Sequence, residues 1–166
     1  MTDAVTPPTS IDTGELLQRS LSVIVGTRDA DNRPHLVRAL GYRVHPSGVP
    51  TRGLTVFLDM VGAAQVIANA RENGHVAVVF SQPTTHRSVQ FKSASARIEP
   101  QQPGDHEQVR GYIERMLNEI CSMGYPRELI AAMFNHNPDK LINLVFVSEQ
   151  VFEQTPGMQA GQLIHG

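Results

Sequence analysis

Two short runs within residues 75–98, HVAVVFSQPTTHRSVQFKSASARI, carry the clearest pattern of the chain. Residues 75–80 are apolar and valine-rich, the mark of a strand buried on both faces or set in a barrel wall. Residues 81–85 contain Pro83 and read as a turn. From Arg87 onward the chain alternates. Val89 and Phe91 share one face, and Ser88, Gln90 and Lys92 share the other. After Ser93 the phase slips by one residue and Ala94, Ala96 and Ile98 become the apolar set, which predicts a β-bulge. Bulges bend strands and let a small barrel close, so the remaining elements are read around a bent hairpin.

Three strands are expected before it. Leu21, Val23 and Val25 alternate with Ser22 and Gly26 in the first. Residues 35–44 form the second, where Gly41 marks a bulge or a close backbone approach. Residues 54–59 form the third. A helix is expected over 62–73, with Ala63, Val66, Ile67 and Ala70 at helical spacing and Gly74 as its stop. After the hairpin, Asp105 reads as an N-cap with Gln108 completing a capping box. Val109, Tyr112, Ile113, Met116, Leu117 and Ile120 follow as an apolar stripe. A second helix is expected over 126–134 with Leu129, Ile130, Met133 and Phe134 inward, and a last strand region over 141–152. Short connections and a majority of strands predict a mainly β fold, a six-stranded antiparallel split β-barrel with peripheral helices. Residues 1–13 read as a disordered tail, 14–160 as one domain, and 161–166 as a C-terminal tail.

Composition narrows the function classes. The 166 residues carry a net charge of −2 with no basic block, which argues against a dedicated nucleic-acid binder. One cysteine, Cys121, excludes an intrachain disulfide and a cysteine zinc site, and the seven histidines show no metal spacing, so no metal is expected. No apolar run approaches a membrane span, no signal-peptide core opens the chain, and a reducing cytoplasm is the expected home.

The candidate chemistry is polar side chains on strands. Arg38 and Arg43 would face opposite sides of a regular strand, but a bulge at Gly41 would bring both to one face as an anion clamp for a phosphate; the alternative is two exposed arginines. Ser88, Gln90 and Lys92 form a polar face that looks at solvent, a partner subunit or a ligand. His86 and Arg87 follow the turn and reach either solvent or the barrel rim. No side chain stands out as a general acid or base.

The chain resembles the pyridoxamine 5′-phosphate oxidase-like superfamily of flavin-binding split β-barrels. PHLVRALGYR (34–43) resembles the strand where that family carries an arginine and, five residues later, a lysine that grip FMN. NARENGHVAVVF (69–80) is similar to its helix end and following strand, and THRSVQFKSASA (85–96) to the strand whose polar side chains reach the flavin across a dimer. QTPGMQAG (154–161) is similar to tails of smaller members. The resemblance implies FMN as cofactor, Arg38 and Arg43 on its phosphate, and Val56, Phe57 and Leu58 offering backbone groups to the isoalloxazine. It implies polar contacts from Arg87, Ser88, Gln90 and Lys92, and a homodimer acting on a small-molecule substrate or electron donor. Residues 62–66 (GAAQV) lack the serine and basic residues the family often has there, and the chain has no tryptophan, where the oxidases proper end with one. Both departures point away from pyridoxamine phosphate oxidation itself. The alternative is a non-catalytic module holding haem, a deazaflavin or flavin on the same fold. A barrel this small is filled by its own side chains, so the ligand belongs on the outer wall. Leu144, Phe146, Val151, Phe152, Met133 and Phe134 are then candidates for a dimer contact, or else for packing under the long helix.

Overall fold

The computed structural model describes residues 11–46 and 53–166. Most of the tail expected over 1–13, and of the turn over 45–53, lies outside the described residues. In chain order the elements are α1 (Thr13–Leu16), β1 (Ser22–Arg28), β2 (Pro34–Arg38), β3 (Gly41–Val44), β4 (Gly53–Asp59), α2 (Ala64–Asn73), β5 (Val76–Ser81) and β6 (Ser88–Ser93). They continue with β7 (Arg97–Pro100), α3 (Asp105–Cys121), α4 (Arg127–Met133), β8 (Leu141–Val147), β9 (Gln150–Glu153) and β10 (Leu163–His165). The fold is mainly β and antiparallel, as expected. Its strands form two sheets, a six-stranded one in the order β10-β9-β6-β5-β1-β2 and a four-stranded one in the order β3-β4-β8-β7.

Three expected strands are each split at a corner where the chain passes between sheets. The strand expected over 35–44 breaks at Ala39–Leu40. The Ala39 N–H donates to Val23 in the six-stranded sheet, and the next N–H, from Leu40, donates to Phe57 in the four-stranded one. The phase slip after Ser93 is likewise a corner and not a bulge within one strand: β6 pairs β5 and β9, whereas β7 pairs β8. The region over 141–152 divides into β8 and β9 around Ser148–Glu149. The physical reason is common to all three. A strand that changes sheets reverses which parity faces the core, and that reads along the chain as a slip or a long uneven strand.

One carboxylate holds two of these corners. Glu149 Oε1 accepts from the Ala94 N–H (3.0 Å), Ser95 Oγ (3.1 Å) and Ser93 Oγ (3.2 Å), and the Glu149 N–H donates to the Lys92 carbonyl. Those hydrogen bonds, the Ala94 one foremost, hold the Glu149 pKa below the usual carboxylate range.

The core lies between the sheets. Val23, Val25, Val78, Phe80, Val89, Phe91 and Val151 meet Leu54, Val56, Leu58, Leu144 and Phe146, all buried. β4 is buried on its other face too, where Phe57 packs with Leu40, Val109 and Leu141. Leu144, Phe146, Val151 and Phe134 are therefore core residues and not spare apolar surface. In α4, Ile130 and Phe134 point inward as expected, but Leu129 and Met133 are exposed, because a helix of two turns against one neighbour buries a single narrow stripe. Asp105 does not cap α3. Gly104 stands at the cap position, and the Asp105 carboxylate turns toward the sheet. The expected tail 161–166 supplies a strand, since Leu163 pairs with Phe152; three residues are too few to show a period.

Gly41 and Gly74 are the glycines that the packing requires. Gly41 (φ 143°) would bring a Cβ to 3.1 Å from Tyr112, so it admits α3 against β3. Gly74 ends α2 in the left-handed region (φ 70°), and a Cβ there would stand 2.7 Å from the Ala94 carbonyl oxygen. Gly74→Ala is expected to lower stability by more than the roughly 1–2 kcal/mol of the backbone conformation alone, because the clash adds to it. Urea unfolding monitored by circular dichroism measures this, and an unchanged midpoint would contradict it.

Candidate functional site

Polar residues collect at one end of the outer face of the six-stranded sheet. The inward parity of β1, β5 and β6 is apolar, so the outward parity carries what is polar. Register sets Ser22 opposite Ser81 and Ser81 opposite Ser88, a row of three serines across three strands. Ser88 Oγ donates to Ser81 Oγ (2.7 Å) and lies 3.0 Å from the His86 carbonyl. Arg38, the last residue of β2, lies on the same face. Its Nη1 donates to Ser22 Oγ at 2.6 Å, and its Nε and Nη2 have no partner among the described residues.

The surroundings hold this row in place. The 82–87 turn is closed by Gln82 N–H to Arg87 O and His86 N–H to Gln82 O, both 2.9 Å. His86 adopts φ 61°, a left-handed geometry uncommon outside glycine, in which asparagine, aspartate and histidine are over-represented. The end of β9 closes over Ser88: the Gln154 N–H donates to the Ser88 carbonyl, and the Ser88 N–H donates to Thr155 Oγ1. The chain just before Ser22 is pinned by the buried Tyr112 and the half-buried Tyr42. Tyr112 donates to the Leu21 carbonyl (2.8 Å) and Tyr42 to the Leu17 carbonyl (2.9 Å). Burial pushes the Tyr42 hydroxyl up to about 12 and raises that of Tyr112 as well, so both remain protonated donors.

The corner between α3 and α4 forms the opposite wall. Ile120, Met123, Tyr125 and Met133 face the serine row across an open groove of about 350 Å³ that also includes Gln82, His86 and Gln154. Met123, Tyr125 and Met133 are all substantially exposed. The groove thus pairs a guanidinium and hydroxyl floor with an apolar, partly aromatic wall, a combination suited to an anionic group attached to a flat apolar body.

The expected site residues divide. Arg38 and Ser88 line this groove. Gln90 and Lys92 lie on the same outer face, Gln90 near Gln154 Nε2 at 3.5 Å and Lys92 over the Phe152 ring at 4.5 Å. Arg87 turns away, toward Glu15 at 3.8 Å. Arg43 is not brought to Arg38: it lies in the other sheet, donates to Asp105 at 2.8 Å and stacks over Phe57 at 5.5 Å. Val56, Phe57 and Leu58 have fully buried side chains; Val56 and Phe57 are paired with both β3 and β8, and Leu58 with Ile142 of β8. Sequence reasoning missed Ser22, Ser81, Gln154 and the α3–α4 wall. Ser22 and Ser81 were visible as polar outward positions in otherwise apolar strands, but their alignment depends on strand register.

No helix among the described residues is long and apolar enough to cross a membrane. No group of three or more His, Cys, Asp or Glu among them is placed to hold a metal ion.

No protein-family model matches the chain, and none of the curated proteins matches it in sequence. Solved structures do match in fold. HupZ of Group A Streptococcus aligns at 18% identity over 91% of this chain and 100% of its own, with a TM-score of 0.52. An F420 reductase aligns at 17% identity over 86% of this chain and 94% of its own, with a TM-score of 0.51. A candidate pyridoxamine 5′-phosphate oxidase of Lactobacillus delbrueckii aligns at 18% identity over 92% of this chain and 99% of its own, with a TM-score of 0.50.

The Asp105 carboxylate, at the first residue of α3, gives a direct test of the framework. Burial alone would raise its pKa, but hydrogen bonds from Asn143, the Gln102 N–H and Arg43 outweigh this and hold it below the ordinary aspartate value. A carboxyl whose pKa is depressed on folding adds stability above its unfolded value, near 3.9, and that stability is lost as the pH falls through the folded value. Asp105→Asn should therefore cost about 3 kcal/mol at pH 7, the low end for a broken buried pair because Arg43 is 29% exposed. Its stability should also fall less steeply than the native protein's below about pH 4. Denaturant titrations at several pH values measure both, and parallel pH curves would contradict the assignment.

Proposed function

Because the chain has the fold of the pyridoxamine 5′-phosphate oxidase-like superfamily, we propose that it is an FMN-binding, oxidoreductase-like protein other than a pyridoxamine phosphate oxidase. The observation that carries this reading is the half-engaged Arg38 guanidinium over the serine row, facing the Met123, Tyr125 and Met133 wall. Arg38 takes the phosphate with Nε and Nη2, the serine hydroxyls add neutral hydrogen bonds, and the wall packs against the ring. Arg43 stays with Asp105 and positions α3 instead of contacting the phosphate. The flavin supplies the redox chemistry when bound; the protein's part is to hold it, orient it and exclude water from one face. The similarity to an F420 reductase supports a cofactor of flavin type. A cytoplasmic location belongs to the same proposal.

A homodimer belongs to the same reading. The groove is open, and small-molecule sites bury most of their ligand. The outer face of the six-stranded sheet leaves Leu36 70% and Leu163 55% exposed, beside the half-buried Ile24, Val79 and Phe152. A two-fold partner seated there covers both the apolar strip and the groove.

Two measurements test the proposal. FMN added to the protein should bind with quenched flavin fluorescence, and Arg38→Ala should weaken that binding roughly ten- to a hundredfold, the worth of a charge-assisted contact of about 1.5–3 kcal/mol. Phosphate-free riboflavin should bind the native protein and Arg38→Ala alike. Equal losses for both ligands, or a haem absorption band in the purified protein, would overturn the assignment. Light scattering should give a mass twice the 18.2 kDa chain, and Leu36→Glu should return a monomer. A native monomer that ignores added FMN would remove the dimer.

A further inference from the structure

A second cavity lies beside the groove, across Pro156, which lines both. It has a volume of about 560 Å³, is open to solvent, and lies between the start of α1 on one side and the segment after β9 on the other. Its charged residues are Asp12, Glu15, Arg87 and Glu153. Three of them are already engaged. Asp12 caps α1 through the Gly14 and Glu15 N–H groups. Glu15 is shared by Arg19 at 2.7 Å and Arg87 at 3.8 Å, and this sharing also occupies Arg87.

Glu153 differs. It sits at an inward position of β9, opposite the buried Val89, where the alternation of the strand calls for an apolar side chain. The residue is 6% exposed. Its carboxylate takes one hydrogen bond, from the Thr155 N–H to Oε1 at 2.9 Å. Oε2 has no hydrogen-bond partner among the described residues, and Glu153 lines the cavity. No lysine, arginine or histidine among the described residues pairs with it. Both its backbone groups are tied down as well, the N–H to the Gln162 carbonyl and the carbonyl to the Gly161 N–H. A buried carboxylate without a countercharge is costly. Here it is also held by its backbone and by Thr155, on the wall of a space large enough for a ligand.

We propose that this cavity binds a small organic cation, a primary amine carrying an apolar or aromatic arm, with Glu153 as its countercharge. The ammonium donates to Glu153 Oε2. The arm lies against Ile11 and Pro156 and beneath Met158, which is fully exposed at the rim and free to adjust its shape to the ligand. An anion is disfavoured, because Arg87, the one cationic side chain of the lining among the described residues, is already paired with Glu15. The site stands independently of the flavin reading.

The test is isothermal titration calorimetry of the full-length protein, with and without FMN, against three ligands of one shape: phenethylamine, 2-phenylethanol and phenylacetate. The amine should bind at least about tenfold more tightly than either of the others. Glu153→Gln, which keeps the shape and the Thr155 hydrogen bond, should lose that preference. Glu99→Gln, at a carboxylate remote from the cavity that pairs with Arg97, should keep it. Phenylacetate binding as tightly as the amine would show that Arg87 governs the site, and absence of binding by all three would show that Glu153 is merely hydrated; either result overturns the proposal. The comparison among ligands on the native protein decides the matter even if Glu153→Gln fails to fold. Amine binding that survives where FMN fails to bind would uphold this site and reject the flavin reading, and the converse would do the reverse.

Discussion

A single buried carboxylate joins the helical layer to the four-stranded sheet. Asp105 has no solvent exposure, and its two oxygens reach Arg43 of β3, Asn143 of β8 and the backbone before α3. A charge in that position is tolerated only because all of its surroundings are donors. It fixes the start of α3, a helix of 17 residues, so the far end of that helix is fixed too. That far end carries Ile120 and leads to Met123 and Tyr125, one wall of the groove. Loss of the Asp105 contacts would therefore be felt about 25 Å away, at 1.5 Å of helix per residue. Arg43 is committed to this structural task, which explains why it does not join Arg38.

The groove's other side depends on the corners. At Ala39–Leu40 consecutive N–H groups are donated to different sheets, and this is what leaves Arg38 at the end of an outer row while Arg43 continues elsewhere. Glu149 locks two further corners at the opposite end of β6. β6 runs from the 82–87 turn to those corners, and Ser88, Gln90 and Lys92 keep to the outer face as one polar parity. Tyr42 and Tyr112 pin the chain leading into Ser22. The serine row is thus set by long-range contacts from three directions and needs no flexible loop to assemble it.

The two cavities are of opposite character and share a wall. On one side of Pro156 a cation with donors unpaired among the described residues lies by hydroxyls; on the other a carboxylate with an oxygen unpaired among them lines a cavity. The strand end 153–155 separates them: Glu153 turns inward, and Thr155 accepts from the Ser88 N–H. An anionic cofactor and a cationic partner bound at these two places would be neighbours, and their charges would attract one another through the thin segment between them.

The pattern of polar and apolar residues by itself determined most of the local elements. The strands around residues 22–28, 53–59, 76–81 and 88–93, the α2 and α3 stripes, the Gly74 stop and the polar parity of Ser88, Gln90 and Lys92 are all properties of neighbours along the chain, where burial of one face imposes a period. The mainly β antiparallel class followed from their order. Three things were decided only by tertiary structure. The corners read as slips or as single long strands, because a change of sheet leaves no local mark beyond a change of phase. The partners of Arg43 and Asp105 lie 62 residues apart in sequence, so an arginine that looked available for a phosphate, and an aspartate that looked like a cap, were in fact neutralising each other. The row of Ser22, Ser81 and Ser88, and the inward carboxylate of Glu153, exist as sites only through strand register, which hydrogen bonding between distant segments sets and no short window of sequence contains.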